Sequence, residues 1–285
     1  MSDHITLLDG AQGTLLWDRA AARGIEKKSV WTYNLEHPEV VEEVCRAYKD
    51  AGSEIICANT FGINRLTAER EGHASVKEVV EAAVGIAKKV LEGTDVRVAL
   101  DIGPLPALTE PYGDLEEDET EEIFDEIVQA GVDAGADCIF LETFIQLEML
   151  AAAARAAKKS GLPVFCSMSF EAAGRTIFGV SVDDMLEELE PLGLEAIGMN
   201  CSIGPDQALP IIQEFAEKTD LPLFFKPNAG LPEADADGNT TYSVKPEEFA
   251  EQAEKALETG RIGYLGGCCG TDPDFIRKLQ EIIKA

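Results

Sequence analysis

Apolar and polar positions along this chain repeat one theme: a short, nearly continuous apolar run followed by a longer amphipathic stretch. The apolar runs fall at 5–9, 54–60, 96–101, 138–142, 163–170, 196–200, 222–227 and 261–266. Runs of this kind are expected of strands buried on both faces, as in a parallel sheet covered by helices. The spacing predicts helices over 38–51, 75–91, 116–134, 146–159, 181–190, 205–218 and 246–258, with a closing one over 273–283. HPEVVEE, VKPEEFAEQ and TDPDFIRK each put proline and acids into a first turn, while DAG, GAD and KSG mark ends. Eight such units predict an α/β fold, a (β/α)8 TIM barrel occupying residues 1–285 as a single domain. The alternative is an open doubly wound sheet, but LDGAQGT lacks the GxGxxG dinucleotide signature of that class. No low-complexity linker divides the chain. The stretch NAGLPEADADGNTTY at 228–242 reads as an excursion after the seventh strand, and its DADGNT fragment lacks the closing glutamate of a calcium loop.

Charge narrows the function classes. With 53 acidic against 24 basic residues the formal charge is −29, and such a field repels nucleic-acid backbones. The densest acidic stretch, 113–127, reads as a solvated helix start favoured by the helix dipole. No apolar run approaches the ~20 residues a membrane crossing needs, and MSDHITLLDG does not have the pattern of a secretory leader. These features predict a cytoplasmic protein. Its seven cysteines, odd in number and without compact spacing, read as reduced thiols.

In a barrel, chemistry belongs at the carboxyl ends of the strands. Polar residues collect there: Asp9, Asn59, Asp101, Glu142, Asn200 with Cys201, Lys226 with Asn228, and Cys268 with Cys269 in YLGGCCG. Adjacent cysteines do not readily pair with each other. Cys201, Cys268 and Cys269 can supply three corners of a zinc tetrahedron and leave the fourth open; on spacing alone, inert buried thiols and a redox pair remain alternative readings, the inert thiols ahead of the metal and the redox pair behind it. Cys45, Cys57, Cys138 and Cys166 read as small core hydrophobes. Asp9 can cap the following turn, and Glu142 can pair with Lys226. Alternatively the two acids hold an amino group while backbone N–H groups from Gly10 to Gly13 hold a carboxylate, together gripping the polar end of an amino acid.

LDGAQGT, NTFGINR, DIGP, PYGDL, FLET, MNCSIGP, FFKPNAGLP and GGCCGT, in that order and over essentially the whole chain, resemble the homocysteine S-methyltransferase family. The resemblance implies a zinc-dependent enzyme of methionine biosynthesis that transfers a methyl group to the sulfur of homocysteine. It implies Zn2+ ligands at Cys201, Cys268 and Cys269, with Asn228 in the fourth position when substrate is away. It places Asp9 and Glu142 at the substrate's amino group, and Gly10, Ala11, Gly13 and Asn200 among the substrate contacts. DIGP, PYGDL and KPNAGLP are most similar to the homocysteine-binding domain of cobalamin-dependent methionine synthases. Because 285 residues leave no room for a cobalamin domain, the resemblance implies methylcobalamin on a separate corrinoid protein, docked over top loops near Asn64, Pro111 and Pro232. Trp31 resembles the branches that use small onium donors such as betaine, S-methylmethionine or S-adenosylmethionine; its other reading is core packing. A rival from another class is a non-enzymatic zinc-storing or redox-sensing protein.

Overall fold

The computed structural model describes residues 4–72, 75–234 and 240–284. Eight parallel strands form one sheet: β1 (Thr6–Leu7), β2 (Ile55–Cys57), β3 (Arg97–Ile102), β4 (Cys138–Phe144), β5 (Val164–Met168), β6 (Ala196–Asn200), β7 (Leu223–Lys226) and β8 (Ile262–Leu265). Their order is β1-β8-β7-β6-β5-β4-β3-β2. A bridge from Leu8 to Ile55, with Glu54 N–H donating to Leu7 O at 2.7 Å, joins the two ends and closes the barrel. This is the (β/α)8 TIM barrel that the eight apolar runs predict.

The expected helices form within a residue or two of their predicted bounds. Pro38, Pro205, Pro246 and Pro273 stand at first helical positions, where a missing N–H costs no intrahelical bond. Gly52 (φ 100°) and Gly135 (φ 89°) end two of them in the left-handed conformation that other residues resist. Among the described residues three α-helices lie outside the predicted set, one of them the single turn Tyr33–Glu36. Gln12–Ala21 follows β1 directly, and its GT pair, a weak helix former, hides it from a propensity reading. Arg65–Arg70 is too short for a periodic signal and starts from a capping box between Asn64 and Thr67. The excursion after β7 contains a two-residue hairpin, Glu233–Ala234 with Thr240–Thr241; most of the calcium-like DADGNT fragment lies outside the described residues. Among the described residues, no helix is long and apolar enough to cross a membrane.

Alternation along the strands builds two cores. Cys138, Phe140, Ala99, Ala196, Phe165, Phe224 and Tyr264 form a cluster inside the barrel, whereas their neighbours Ile139, Leu141, Val98, Leu100, Ile197 and Phe225 pack outward against the helices. Inside, edge-to-face pairs Phe140–Phe165, Phe140–Phe224 and Phe165–Tyr264, with centroids 4.8, 5.1 and 4.7 Å apart, fill the axis. This aromatic plug is the floor of what lies above it.

Candidate active site

Two residues further along four of the strands, the same face of the sheet turns polar. Ala99 is followed by Asp101, Phe140 by Glu142, Phe165 by Ser167 and Phe224 by Lys226, because a period of two keeps these side chains on the barrel axis. Lys226 is 2 % exposed, with its Nζ 5.6 Å from the Phe140 ring centroid. It donates to Asp9 Oδ1 at 3.2 Å and to Glu142 Oε2 and Oε1 at 3.0 and 3.3 Å. Burial works to strip its proton, but Cys57 and then Glu142, Asp9 and Asp101 oppose it and hold its pKa well above the usual lysine value. Burial likewise pushes the Glu142 carboxyl up against the pull of Lys226. Asp101 is raised well above the usual aspartate value, first by burial and then by the charge of Glu142.

The cysteines come together from strands two apart around the ring. Cys201, Cys268 and Cys269 place their sulfurs within 4.8 Å of one another, and Cys201 Sγ lies 3.8 Å from Cys269 Sγ. Zn–S bonds of ~2.3 Å in a tetrahedron put sulfurs ~3.8 Å apart, so the trio fits that ion. Backbone bonds lace the three loops: Cys201 N–H to Lys226 O at 3.1 Å, Asn228 N–H to Ile203 O at 2.9 Å, Cys268 N–H to Pro227 O at 2.8 Å and Ala229 N–H to Cys269 O at 3.0 Å. Asn228 is buried, and its Oδ1 has no hydrogen-bond partner. An oxygen acceptor left bare on a residue whose two chain neighbours bond to the backbone of Cys268 and Cys269 is compatible with a fourth metal position. Contact with Cys268 does most to hold the Cys201 thiol up; contact with Cys201 does the same for Cys269, pushed up to about 12, and burial adds to both. A metal entering the trio therefore displaces protons.

Local strain concentrates here. Among the described residues, the non-glycine residues with positive φ are Thr143 (69°), Cys201 (63°) and Ser202 (63°). Each such conformation costs about 1–3 kcal/mol and persists where its surroundings over-determine it. Asn200 supplies that constraint: its Oδ1 accepts from Thr143 N–H at 2.7 Å and Ser167 Oγ at 2.8 Å, and its Nδ2 reaches Thr143 Oγ1 at 2.8 Å and Cys268 Sγ at 3.6 Å.

Other sites differ from expectation. Ala11 N–H donates to Thr271 Oγ1 at 3.1 Å, so it is not free to receive a carboxylate. Gly10 lies where a Cβ would come 2.7 Å from that hydroxyl, which is why only glycine fits. Gly10 and Gly13 line the cleft, at the N-terminus of Gln12–Ala21. Trp31 also lines it, while packing in the helix-facing core at 3 % exposure. Asn64, near which a docking loop is expected, is itself 1 % exposed and caps Arg65–Arg70. Cys57, expected to be inert core, is buried but sits 3.7 Å from Asp9 Oδ1 and 4.0 Å from Lys226 Nζ. Tyr242, which no motif singled out, packs its ring against Gly270, next to Cys269 in the chain. Its only sequence signal is the return of the excursion loop towards the barrel.

A cleft of about 450 Å3 joins these groups, lined at its base by Asp101, Glu142, Lys226 and the three cysteines. Methionine synthase of Mycobacterium leprae is 30% identical over 302 residues, covering 99% of this chain and 24% of that protein. The enzyme of that name from Mycobacterium tuberculosis is also 30% identical, over 298 residues covering 99% and 25%. The chain thus spans about a quarter of the length of these relatives. The metallated form of the homocysteine methyltransferase MmuM from Escherichia coli superposes with a TM-score of 0.80 at 23% identity, covering 97% of this chain and 96% of that one, a likeness of fold. The sequence profile described as homocysteine S-methyltransferase matches residues 6–283, from β1 through the last helix and across all three cysteines. By that match, the chain belongs to the homocysteine S-methyltransferase family.

Proposed function

We propose that this protein methylates the sulfur of homocysteine to form methionine, with zinc held by Cys201, Cys268 and Cys269 and the methyl group drawn from methylcobalamin on a separate corrinoid protein. The observation that carries the reading is the thiol trio opening into a cleft whose base is acidic. When bound, zinc supplies the Lewis acidity that keeps a substrate thiol deprotonated near neutral pH. The chain's own residues do the rest. Asn200 fixes the Cys268 side and the strained Thr143 turn together, so the sulfur end and the acid end of the cleft keep one spacing. Carboxylate groups near the base attract the substrate's ammonium, and the N-terminus of Gln12–Ala21 favours its carboxylate.

The rim supports a protein-borne donor. Leu108, Tyr112, Ile177 and Leu231 are exposed on the loops after β3, β5 and β7, and Tyr112 meets Phe178 edge to face with centroids 4.9 Å apart. Exposed apolar side chains gathered around a barrel mouth suit a docking partner. Pro111 and Pro232 are exposed on the same loops. A small onium donor finds less support: Trp31 is almost wholly packed, and the Trp17 ring already carries Lys27 Nζ at 4.1 Å.

The test offers homocysteine to the zinc-loaded protein with methylcobalamin, S-methylmethionine, S-adenosylmethionine and betaine in parallel. Slow turnover with free methylcobalamin, faster when it is carried by a corrinoid protein, is the expected result. Turnover with an onium donor and none with methylcobalamin overturns the donor. Absence of homocysteine binding by calorimetry overturns the methyltransferase reading in favour of zinc storage.

A further inference from the structure

Cys201, Cys268 and Cys269 line the cleft, and Tyr242 does not. Its ring lies instead on the turn that carries two of the cysteines. That turn runs from Cys268 to Thr271, closed by Thr271 N–H donating to Cys268 O at 3.1 Å, with Gly270 at φ 80° in its third position, where a left-handed residue is required. A Cβ on Gly270 would come 2.2 Å from Tyr242 Cγ and 2.4 Å from its Cδ2, so the ring fills the place where a side chain next to Cys269 would stand. The segment bearing Tyr242 leaves the hairpin at Thr240–Thr241 and is seated by backbone bonds: Val244 N–H donates to Ala229 O at 3.1 Å, and Ala229 N–H to Cys269 O at 3.0 Å. A Cβ on Gly230 (φ 96°) would come 2.9 Å from Val244 Cγ2. One glycine in KPNAG and one in GGCCG thus make room for the same returning segment. The partly buried phenol feels the trio, since burial first and then the charge of Cys269 push its pKa up, with Cys201 and Cys268 adding to the effect.

Resting on the zinc site of the reading above, we propose that Tyr242 is a positioning residue of the metal centre, whose ring clamps the Cys268–Thr271 turn and shuts the trio off from water on the side away from the cleft. Consecutive side chains on an extended backbone point apart. Bringing Cys268 and Cys269 onto one ion therefore needs a tight turn, and this one is held by a glycine that lies directly beneath the ring. Thiolate-bound zinc leaves when a proton, water or a competing ligand reaches the sulfurs. With the ring in place, that exchange runs through the cleft, where the acceptor itself would sit. The excursion after β7 then has a definite task, because it delivers Tyr242 to the far side of a site whose ligands come from β6 and β8.

The test follows zinc transfer to an excess of a chromogenic chelator from zinc-loaded wild type, Tyr242→Phe, Tyr242→Ser and Thr241→Ala, an exposed neighbour, with folding read by circular dichroism. It is repeated with Co2+ in the site, whose visible absorption reports the coordination number. Tyr242→Ser is expected to release zinc about tenfold faster or more, the scale for groups that orient metal ligands, and to show a weaker cobalt band as water joins the thiolates. Tyr242→Phe keeps the ring and is expected to stay within about twofold of wild type in release rate, with an unchanged cobalt band. Thr241→Ala is expected to match wild type in both. A residue that only packs the loop would lower the unfolding midpoint and leave the cobalt spectrum alone. Release and spectra equal to wild type in folded Tyr242→Ser overturn the assignment and leave the trio as the metal site. Release from Tyr242→Phe as fast as from Tyr242→Ser also overturns it, because the ring is then not the shield. Wild type that holds no zinc removes both this inference and the methyltransferase reading, whereas wild type that holds zinc but does not bind homocysteine removes that reading alone.

Discussion

The barrel interior holds two layers built by the same strands two residues apart, one aromatic and one charged, and they do opposite things for the molecule. Phe140, Phe165, Phe224 and Tyr264 bury apolar surface with every edge satisfied by a neighbouring face. Asp101, Glu142 and Lys226 bury charge, with one carboxyl oxygen left bare. The lower layer stabilises the fold, and the upper layer sits on it at a cost that only a ligand relieves. Function in this barrel is therefore separable from stability along a single strand, and substitutions in the two layers should break different properties.

The largest effect falls on the metal. Cys268→Ala, purified without added zinc, is expected to drop from one zinc per chain to near none while its circular dichroism stays that of wild type, because the aromatic layer needs no ion. Equal zinc content in the two proteins removes the thiol trio as the metal site.

Phe224→Ala tests the other layer. Truncating this 1 % exposed ring should cost about 3–5 kcal/mol in urea unfolding, with zinc content per folded chain unchanged. A cost below about 1 kcal/mol would mean the two layers are not distinct.

The Asp101→Asn variant sharpens the contrast by its sign. The folded-state pKa of Asp101 is raised, so the stability linked to its proton is fully present below the unfolded aspartate value and is lost as pH rises through the folded one. An amide imitates the protonated acid at every pH. The variant should thus be more stable than wild type at pH 7–8, by a margin that shrinks to nothing as pH falls into the ordinary aspartate range. Urea midpoints measured across pH decide this, and a variant less stable than wild type at pH 8 contradicts it.

The smallest effect lies outside the barrel, where charge meets water. Glu121 is held below the usual glutamate range first by Lys159 and, after some opposition from burial, by Arg155. Its stability contribution is present above the unfolded glutamate value and is lost as pH falls through the folded one. Glu121→Gln should cost under about 1 kcal/mol at neutral pH, less at high salt. A salt-insensitive loss would place this surface network with the buried layer instead.

Much of the fold was legible because its signals are local. Pro246 and Pro273 at helix starts, Gly52 and Gly135 at helix ends, and apolar runs buried on both faces act within a few residues, and eight repeats leave few ways to close a sheet. Cys201, Cys268 and Cys269 could be grouped once the strands were counted, since β6 and β8 stand two apart around the ring. Gln12–Ala21 and Tyr242 were not legible: the first starts on weak helix formers, and the second reaches Cys269 only because a loop returns over the barrel mouth.

The amino-acid order by itself determined that Asp9, Asp101 and Glu142 each stand at the carboxyl end of a strand, because a strand's alternation and its end are properties of its own residues. Only the tertiary structure decided which of them faces the cleft. That choice hangs on where Lys226 places its ammonium, and on the Cys57 N–H and Gln12 saturating Asp9 while Asp101 keeps a bare oxygen. Charge interactions in a dry interior depend on separations of a few ångströms between residues far apart in the chain, and closure of the barrel is what sets those separations.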